Sequence, residues 1–362
     1  MTTRKPLLAL TQGDPAGVGP EIIVAAWPNE SLQTACRPLA VGNPEVFRRA
    51  AKLLGTGLLG TGLDVVEITD PADLEATPTR MPCLVAGATE AADVPAGQID
   101  PRGGQAALDS VVAATRLAQA GRIDGLVTGP LNKAALNAAG HDYPGHTELL
   151  GDLCQSDRVA MMLYLGPQRD MFGPAGLGVV HTTLHMSLSN ALRAVTTDRI
   201  AACIELAGDA MRRLGADCLS GAPRIGVCAL NPHAGEEGLF GNEEKDVIQP
   251  AVLRCRQQGF DVSGPFPADT LMARARDAEF DTVVAMYHDQ GHIALKLLGM
   301  HQAVNVTLGL PIVRTSVAHG TAFDVAWQGT AETTGLMEAV RVAARLANLN
   351  AERRTRNDAL ST

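Results

Sequence analysis

Apolar runs alternate with amphipathic stretches along most of this chain of 362 residues. Such alternation is typical of βαβ units, in which a helix connects two parallel strands. The sequence therefore predicts an α/β protein with a largely parallel sheet. Helices are expected from about Pro20, over 105–120, from near Asn132 and through 188–214. Strands are expected at 6–11, 124–129, 158–165, 176–183, 224–230 and 280–287.

The length of the chain predicts two domains, because single hydrophobic cores seldom grow beyond roughly 250 to 300 residues. With 46% hydrophobic and 19% charged residues, the composition is that of an ordinary globular protein. No linker is visible, which favours a discontinuous domain that the chain leaves and re-enters. We find neither an apolar stretch of about 18 residues nor the apolar core of a signal peptide, and therefore expect a cytoplasmic protein without a membrane partner.

The charge of the chain argues against nucleic acid as a partner. Its formal net charge is −9 and aromatic residues make up only 3%, whereas nucleic-acid binding depends on basic patches and aromatic stacking. The seven cysteines are scattered without a CxxC pair, so a disulfide framework or a cysteine metal cluster is not expected. A small polar ligand is the partner that remains.

The segment 285–296, AMYHDQGHIALK, concentrates ionisable side chains directly after an apolar run. His288 would lie at the carboxyl end of a strand, where open α/β sheets bind their ligands. If a helix begins near Gln290, then Asp289, His292 and Lys296 share one helix face. A solvated helix face would show the same spacing, but the crowding favours a functional site.

Histidines also follow two other predicted strands. His181 and His185 lie in HTTLH, and His233 lies beside a glycine-rich acidic loop. Together with His288, three strand ends each offer an imidazole, and three convergent imidazoles suit a divalent transition metal such as zinc. The sequence alone does not establish that they converge.

Several other residues have a functional and a structural interpretation. The glycine-rich loop 11–22 can cradle an anion or form a tight turn, but it is not a GxGxxG fingerprint. Lys133 at a helix start can reach an anion or point into solvent. Thr147 is a possible N-cap with His146 beside it, and Asp269 is either an N-cap or an active-site carboxylate.

A last polar segment spans 304–326. Asn305 and Arg314 flank a Gly-Leu-Pro turn in apolar surroundings. Arg314 can clamp a phosphate or carboxylate with two hydrogen bonds, or form an internal ion pair. The following AHGTAFD is a loop whose backbone donors could hold a nucleotide.

Together these segments resemble the 4-hydroxythreonine-4-phosphate dehydrogenases of pyridoxal phosphate biosynthesis, from Thr11 to about Gly329. The resemblance is carried, in order, by GDPAGVGPEI, TGPLNK, GHTELL, the stretch around His185, LNPHAGEEGLFGNEE, GPFPADTL, YHDQG with Lys296, and VNVTLGLPIVRTSVAHGTA.

The resemblance implies an α/β/α fold like that of isocitrate and isopropylmalate dehydrogenases, with two subdomains, a cleft and a homodimer that shares its active site. It places 1–135 and 310–362 in a nucleotide-side subdomain, and 136–309 in a metal, substrate and dimerisation subdomain. It implies these site residues: His185, His233 and His288 for the metal; His146, Thr147, Lys296, Asn305 and Arg314 for substrate; Asp269 and Asp289 as acidic positions; and His319, Gly320, Thr321 and Asp324 for the nucleotide.

The reaction implied is NAD- or NADP-linked oxidation of 4-phosphohydroxy-L-threonine, assisted by zinc, magnesium or cobalt, with loss of CO2 to give 3-amino-2-oxopropyl phosphate. Lys296, tuned by Asp289, would transfer the proton, and Asp269 would be a further catalytic carboxylate.

Some features depart from the biosynthetic members of the family. His292 and Ile293 replace apolar residues there, and insertions lie near 54–63 and 167–177. With His292 and Ile293, GHIALK looks closer to a paralogous branch, and the alternative substrates are therefore threonate or erythronate 4-phosphate, or a dihydrodiol carboxylate. A phosphotransacetylase-like transferase is the alternative from another class.

Overall fold

The computed structural model describes residues 4–55, 62–168 and 171–360, with side chains described as far as 350. The strands are β1 Leu7–Thr11, β2 Arg37–Gly42, β3 Asp64–Ile68, β4 Arg80–Val85, β5 Gly125–Thr128, β6 Ala160–Leu165, β7 Leu177–His181, β8 Ile225–Cys228, β9 Val262–Phe266, β10 Thr282–Ala285, β11 Val304–Leu308 and β12 Arg314–Val317. The helices are α1 Gly19–Ala26, α2 Glu30–Ala35, α3 Pro44–Gly55, α4 Pro101–Gln119, α5 Lys133–Ala138, α6 His146–Cys154, α7 Leu188–Ala194, α8 Thr197–Leu214, α9 Gln249–Gln257, α10 Ala268–Arg276, α11 His288–Gly299 and α12 Thr334–Leu360. The α/β prediction is confirmed.

The chain forms two compact units, Met1–Asp157 with Leu310–Thr362, and Arg158–Gly309. The first unit is thus discontinuous. Residues 136–157, which the resemblance placed in the other subdomain, belong to this first unit. The reason lies in packing, because Leu149 and Leu150 of α6 are buried against Leu108, Val111 and Leu136.

The first unit is built on parallel strands in the order β3-β4-β2-β1-β5-β12. Every residue of β1 and β5 is buried, as expected for strands covered on both faces. Their carboxyl ends carry the glycine-rich loop after Thr11 and the turn after Thr128, which are the places where ligands bind in such sheets.

The second unit has the strand order β11-β6-β7-β10-β8-β9. Its strands β7, β10, β8 and β9 are parallel, but β6 is antiparallel to both β7 and β11. The expected parallel sheet is therefore interrupted at one strand. The predicted insertion 167–177 runs from the loop after β6 to the first residue of β7, and 169 and 170 lie outside the described residues.

Three local details differ from the sequence-based expectation. The helical region 188–214 is two helices, because the Thr196 hydroxyl accepts a hydrogen bond from Arg199 N and starts α8 afresh. The helix expected near Gln290 begins at His288. The predicted insertion 54–63 lies largely outside the described residues, at 56–61. In the part of the chain that is described, no helix is long and apolar enough to cross a bilayer.

Candidate active site

The start of α11 places His288 and Asp289 directly after the buried strand β10. His288 Nδ1 lies 2.6 Å from Asp289 Oδ1. A carboxylate only accepts hydrogen bonds, so Nδ1 carries the proton and Nε2 keeps a lone pair. The sequence paired this carboxylate with Lys296; in the structure it contacts His288 and orients that ring.

His292 lies one turn further along α11, and its ring stacks on that of His288. The ring centroids are 3.7 Å apart and the planes meet at 12°. His292 Nδ1 lies 3.0 Å from Nε2 of the buried His181. Burial, and then electrostatic repulsion from the neighbouring His288 and Lys296, lower the pKa of His292 to about 3. Burial likewise holds the pKa of His181 well below its ordinary value, so both imidazoles are neutral.

His185 follows β7 and is exposed. Its ring centroid lies 6.0 Å from that of His288. Both rings line a cavity of about 500 Å³ together with Asp289, Tyr287 and apolar residues between Leu184 and Ala191. The structure thus brings two of the three predicted metal histidines to one cavity.

His233, the third predicted metal histidine, is exposed and lines another cavity, of about 530 Å³, with Asp269 and Asn231. Tyr287 lines this cavity as well as the one beside His288. His233 has φ 53°, in the left-handed region that L-residues rarely adopt.

The base of the loop that carries His233 is anchored by Glu244. Its Oε1 accepts hydrogen bonds from Leu230 N at 2.8 Å and Asn231 N at 2.7 Å. Burial raises the pKa of Glu244, but these hydrogen bonds lower it by more, so the pKa lies below its ordinary value. The anchored base fixes where the left-handed turn begins.

The chemistry of these donors fits a divalent transition metal. Neutral imidazoles are good zinc or cobalt ligands, and a carboxylate on the nitrogen that does not bind the metal is the usual support for such a ligand. Within the described residues of one chain, however, no three His, Cys, Asp or Glu side chains are placed to hold one ion. The three-histidine set therefore stays a prediction, in which the resemblance divides the ligands between two subunits.

Arg314 begins β12 in the first unit, and its side chain is buried. Its Nε and Nη2 donate to Thr128 Oγ1 at 3.2 and 2.6 Å. Burial lowers the pKa of Arg314 to about 9, and the negative charge of Glu148 opposes this change. A guanidinium held this way has strong attraction for an anion.

His146 and Lys133 belong to the same group of side chains, which we call the cationic cluster: Lys133, His146, Glu148 and Arg314. His146 Nε2 is buried with no hydrogen-bond partner among the described residues. Burial, and then the charges of Arg314 and Lys133, hold the pKa of His146 well below its ordinary value. Burial also lowers the pKa of Lys133. Two cations near one carboxylate can bind an anionic group.

The remaining predicted substrate and acidic residues have these positions. Thr147 is buried, but it is not the N-cap that the sequence suggested. The helix α6 begins at His146, and Gly145 is its N-cap. Asp269 is not an N-cap either, since Pro267 precedes α10 there. Lys296 is half-buried on α11, and Asn305 Nδ2 donates to Met161 Sδ at 3.2 Å.

The loop 319–324, predicted to bind the nucleotide, packs on the glycine-rich loop after β1. Val18 N donates to Thr321 O at 3.0 Å, and a side chain at Gly17 would lie 2.8 Å from that same oxygen. Thr321 is buried, whereas the other predicted residues of this loop are exposed: His319, Gly320 and Asp324. Two loops that are far apart in the sequence thus form one surface.

Four residues that the structure places in or near these groups are absent from the site residues that the resemblance implied. Tyr287 lines both cavities, His181 supports His292, and Glu148 belongs to the cationic cluster. Asp14 is buried, with Oδ1 accepting from Ala16 N at 2.9 Å, and burial raises its pKa to about 6. All four lie within the motifs that carry the family resemblance or beside them, and this position in the sequence was the only indication that they belong to the site.

Comparison with known proteins agrees with these observations. The sequence model of the family described as "Pyridoxal phosphate biosynthetic protein PdxA" matches residues 34–343. A D-threonate 4-phosphate dehydrogenase from Cupriavidus necator is 42% identical, with 97% of this chain and 100% of the relative covered. A 4-hydroxythreonine-4-phosphate dehydrogenase from Trichlorobacter lovleyi is 40% identical, covering 96% and 99%.

A solved structure shows the same likeness. The crystal structure of 4-hydroxythreonine-4-phosphate dehydrogenase from Klebsiella pneumoniae has a TM-score of 0.80 and 38% identity, with 94% of this chain and 99% of that chain covered. The chain therefore belongs to the PdxA family and is a dehydrogenase.

Proposed function

We propose that this protein is a metal-dependent, NAD- or NADP-linked dehydrogenase that oxidises and decarboxylates a four-carbon hydroxy-acid phosphate. The observation that carries the proposal is the arrangement at the start of α11. There His288, with its free Nε2 and its carboxylate partner Asp289, lines one cavity with His185. The cationic cluster of the first unit supports the same proposal, because it suits a phosphate or carboxylate.

D-threonate 4-phosphate is our first candidate substrate and 4-phosphohydroxy-L-threonine our second. Relatives named for each substrate are almost equally similar to this chain. The two compounds differ only at carbon 2, which carries a hydroxyl in the first and an amino group in the second. His292, which departs from the biosynthetic pattern, favours the first.

The proposed reaction is an oxidation at carbon 3 followed by a decarboxylation at carbon 2. The hydroxyl on carbon 3 loses its proton, and the hydrogen on carbon 3 leaves as hydride to the nicotinamide, giving a ketone. The bond from carbon 2 to the carboxylate then breaks and CO2 leaves. The electron pair of that bond forms an enolate, which is protonated at carbon 2 to give the ketone. A divalent metal, when bound, would supply polarisation of the oxygen at carbon 3 and stabilise the negative charge there.

The side chains have these proposed roles. Lys296 Nζ takes the hydroxyl proton and returns one to carbon 2. Asp289 holds the His288 ring, and Asp269 is a second proton-handling carboxylate beside His233. The substrate's anionic groups are bound by His146, Thr147, Asn305 and Arg314. The nucleotide is bound by His319, Gly320, Thr321 and Asp324, and His185, His233 and His288 hold the metal in a homodimer.

The test is a substrate panel assayed by the absorbance of reduced nicotinamide. Purified full-length protein is given each candidate, with and without its phosphate, with NAD or NADP, and with zinc, magnesium or cobalt. We expect turnover of at least one phosphorylated acid, with release of CO2, and loss of turnover after chelation or in His288→Ala. Turnover that survives both treatments would contradict the metal-dependent proposal, and failure to reduce either nucleotide with every acid would contradict the substrate class.

A further inference from the structure

Three histidine rings of the second unit form a continuous contact from a buried strand to the cavity. His181, at the end of β7, is fully buried and lies 4.5 Å from His292 between ring centroids. His292 in turn stacks on His288 at 3.7 Å. Of these three rings, His288 lines the cavity of about 500 Å³ that His185 also lines.

The hydrogen bonds of this contact have a defined direction. Met161 O, 3.4 Å from His181 Nδ1, is a carbonyl and only accepts, so His181 carries its proton on Nδ1 and offers Nε2 as an acceptor. His288 O, 3.2 Å from His292 Nδ1, is also a carbonyl. His292 Nδ1 therefore carries a proton, which it donates to His181 Nε2 at 3.0 Å.

Gly291 explains how α11 comes so close to β7. A side chain at this position would place its Cβ 2.5 Å from His181 Nε2 and 2.7 Å from Val179 Cγ1. Only a residue without a side chain lets the helix approach to this distance. The close approach brings His292 Nδ1 within hydrogen-bond range of His181.

His288 is consequently restrained on two sides. Asp289 accepts a hydrogen bond from its Nδ1 edge, and the buried ring of His292 covers one of its faces. Both contacts favour one orientation of the ring and therefore one direction for Nε2. Such support by residues that do not touch the ion commonly decides how tightly a metal is held.

We propose that His292, anchored by His181, is a positioning residue that holds the His288 imidazole for binding of a divalent transition metal. This inference rests on the proposed metal-dependent function and deepens it, because it assigns a role to the histidine by which this chain departs from the biosynthetic members. His292 acts through His288 and does not itself touch the ion.

The test measures Co²⁺ affinity and the visible spectrum of the Co²⁺-loaded full-length protein for three variants of one position. His292→Leu removes both the ring and the donor, His292→Phe keeps a stacking ring, and His292→Asn keeps an amide donor near the place of Nδ1. His141→Leu is the control, since His141 bonds Gln105 in the first unit. We expect about 10- to 100-fold weaker Co²⁺ binding and an altered spectrum for His292→Leu, partial recovery for Phe and Asn, and no change for the control.

His288→Ala separates this inference from the proposed function. If His288→Ala binds Co²⁺ as the wild type does, the metal site itself is wrong and the inference falls with it. If His288→Ala loses Co²⁺ but His292→Leu keeps wild-type affinity and spectrum, the positioning role alone is overturned.

The wild-type protein supplies a measurement that does not depend on how the variants fold. Long-range proton–nitrogen spectra of ¹⁵N-histidine-labelled protein should show a proton on Nδ1 of both His181 and His292. A proton on Nε2 alone in His292 would overturn the proposal.

Discussion

The cationic cluster of the first unit and the histidine stack of the second unit use burial in opposite ways. In the cationic cluster, burial works against charged groups, and the pKa values of Arg314 and Lys133 fall because their charges are poorly solvated. In the histidine stack, burial keeps His181 and His292 neutral. Both nitrogens of His181 and Nδ1 of His292 have hydrogen-bond partners among the neighbouring rings and carbonyls. The first arrangement gains from an added anion, whereas the second gains from an added cation at His288.

Arg314→Met should have the largest effect of the changes that separate these two groups. Removing a buried guanidinium that binds an anion costs roughly 2 to 5 kcal/mol, so we expect about 1000-fold lower kcat/KM for the phosphorylated substrate. Arg314→Lys keeps the charge but not the planar donors, and should recover only part of the loss. Co²⁺ affinity should not change; a parallel loss of Co²⁺ binding would show that the two groups are not independent.

Asp14→Asn tests the cost of burying charge in the first unit. The pKa of Asp14 is raised from 3.8 to about 6, so the folded state favours the protonated acid. The wild type therefore loses stability as pH rises from about 4 to 6, by about 3 kcal/mol at most. Asp14→Asn should abolish this loss and be the more stable protein at pH 8. Urea unfolding at pH 4 and pH 8 measures the difference, and an equal effect at both values would contradict it.

Gly291→Ala tests the close approach on which the histidine stack depends. The added Cβ would overlap His181 and Val179, and forcing it in should cost about 1 to 3 kcal/mol. Thermal unfolding and Co²⁺ titration of the same preparation check both consequences. Gly166→Ala, in the same unit and with open space around the added Cβ, is the matched control and should change stability by less than about 0.5 kcal/mol.

Glu148→Gln should have the smallest effect and the opposite sign to that of Arg314→Met. Glu148 competes with a bound anion for the charges of Arg314 and Lys133, so its neutralisation should tighten binding of inorganic phosphate. The attraction between Glu148 and these cations is worth about 1 kcal/mol in a partly exposed site, so its loss should tighten phosphate binding by about 5-fold. Inhibition by phosphate at fixed ionic strength measures the change, and weaker inhibition would contradict the assignment.

Local patterns predicted the strands that are uninterrupted apolar runs, including β1, β5 and β10. Six strands were not among those expected: β2, β3, β4, β9, β11 and β12. Three of them, β2, β4 and β9, contain a proline, at Pro38, Pro82 and Pro265. Proline lacks a donor and counts against a strand interior when only the local pattern is considered. The pairing of these strands with their neighbours outweighs that cost, and pairing is not a local property.

The candidate site shows the same limit. A helix after a buried strand was the condition under which Asp289, His292 and Lys296 would share one face, and the structure has such a helix, which begins at His288 rather than near Gln290. The mechanism implied by the family resemblance paired Asp289 with Lys296. The structure pairs Asp289 with His288, since adjacent side chains at a helix start can turn towards each other.

The sequence by itself determined that this is an α/β dehydrogenase of the PdxA family, since motif order and apolar periodicity need no coordinates. Only the tertiary structure decided that residues 136–157 pack in the first unit, that His181 reaches His292, and that His185 and His288 line one cavity while His233 lines another. These contacts join residues that lie in different elements, up to 111 positions apart for His181 and His292, and their distances depend on how strands and helices pack rather than on any local preference.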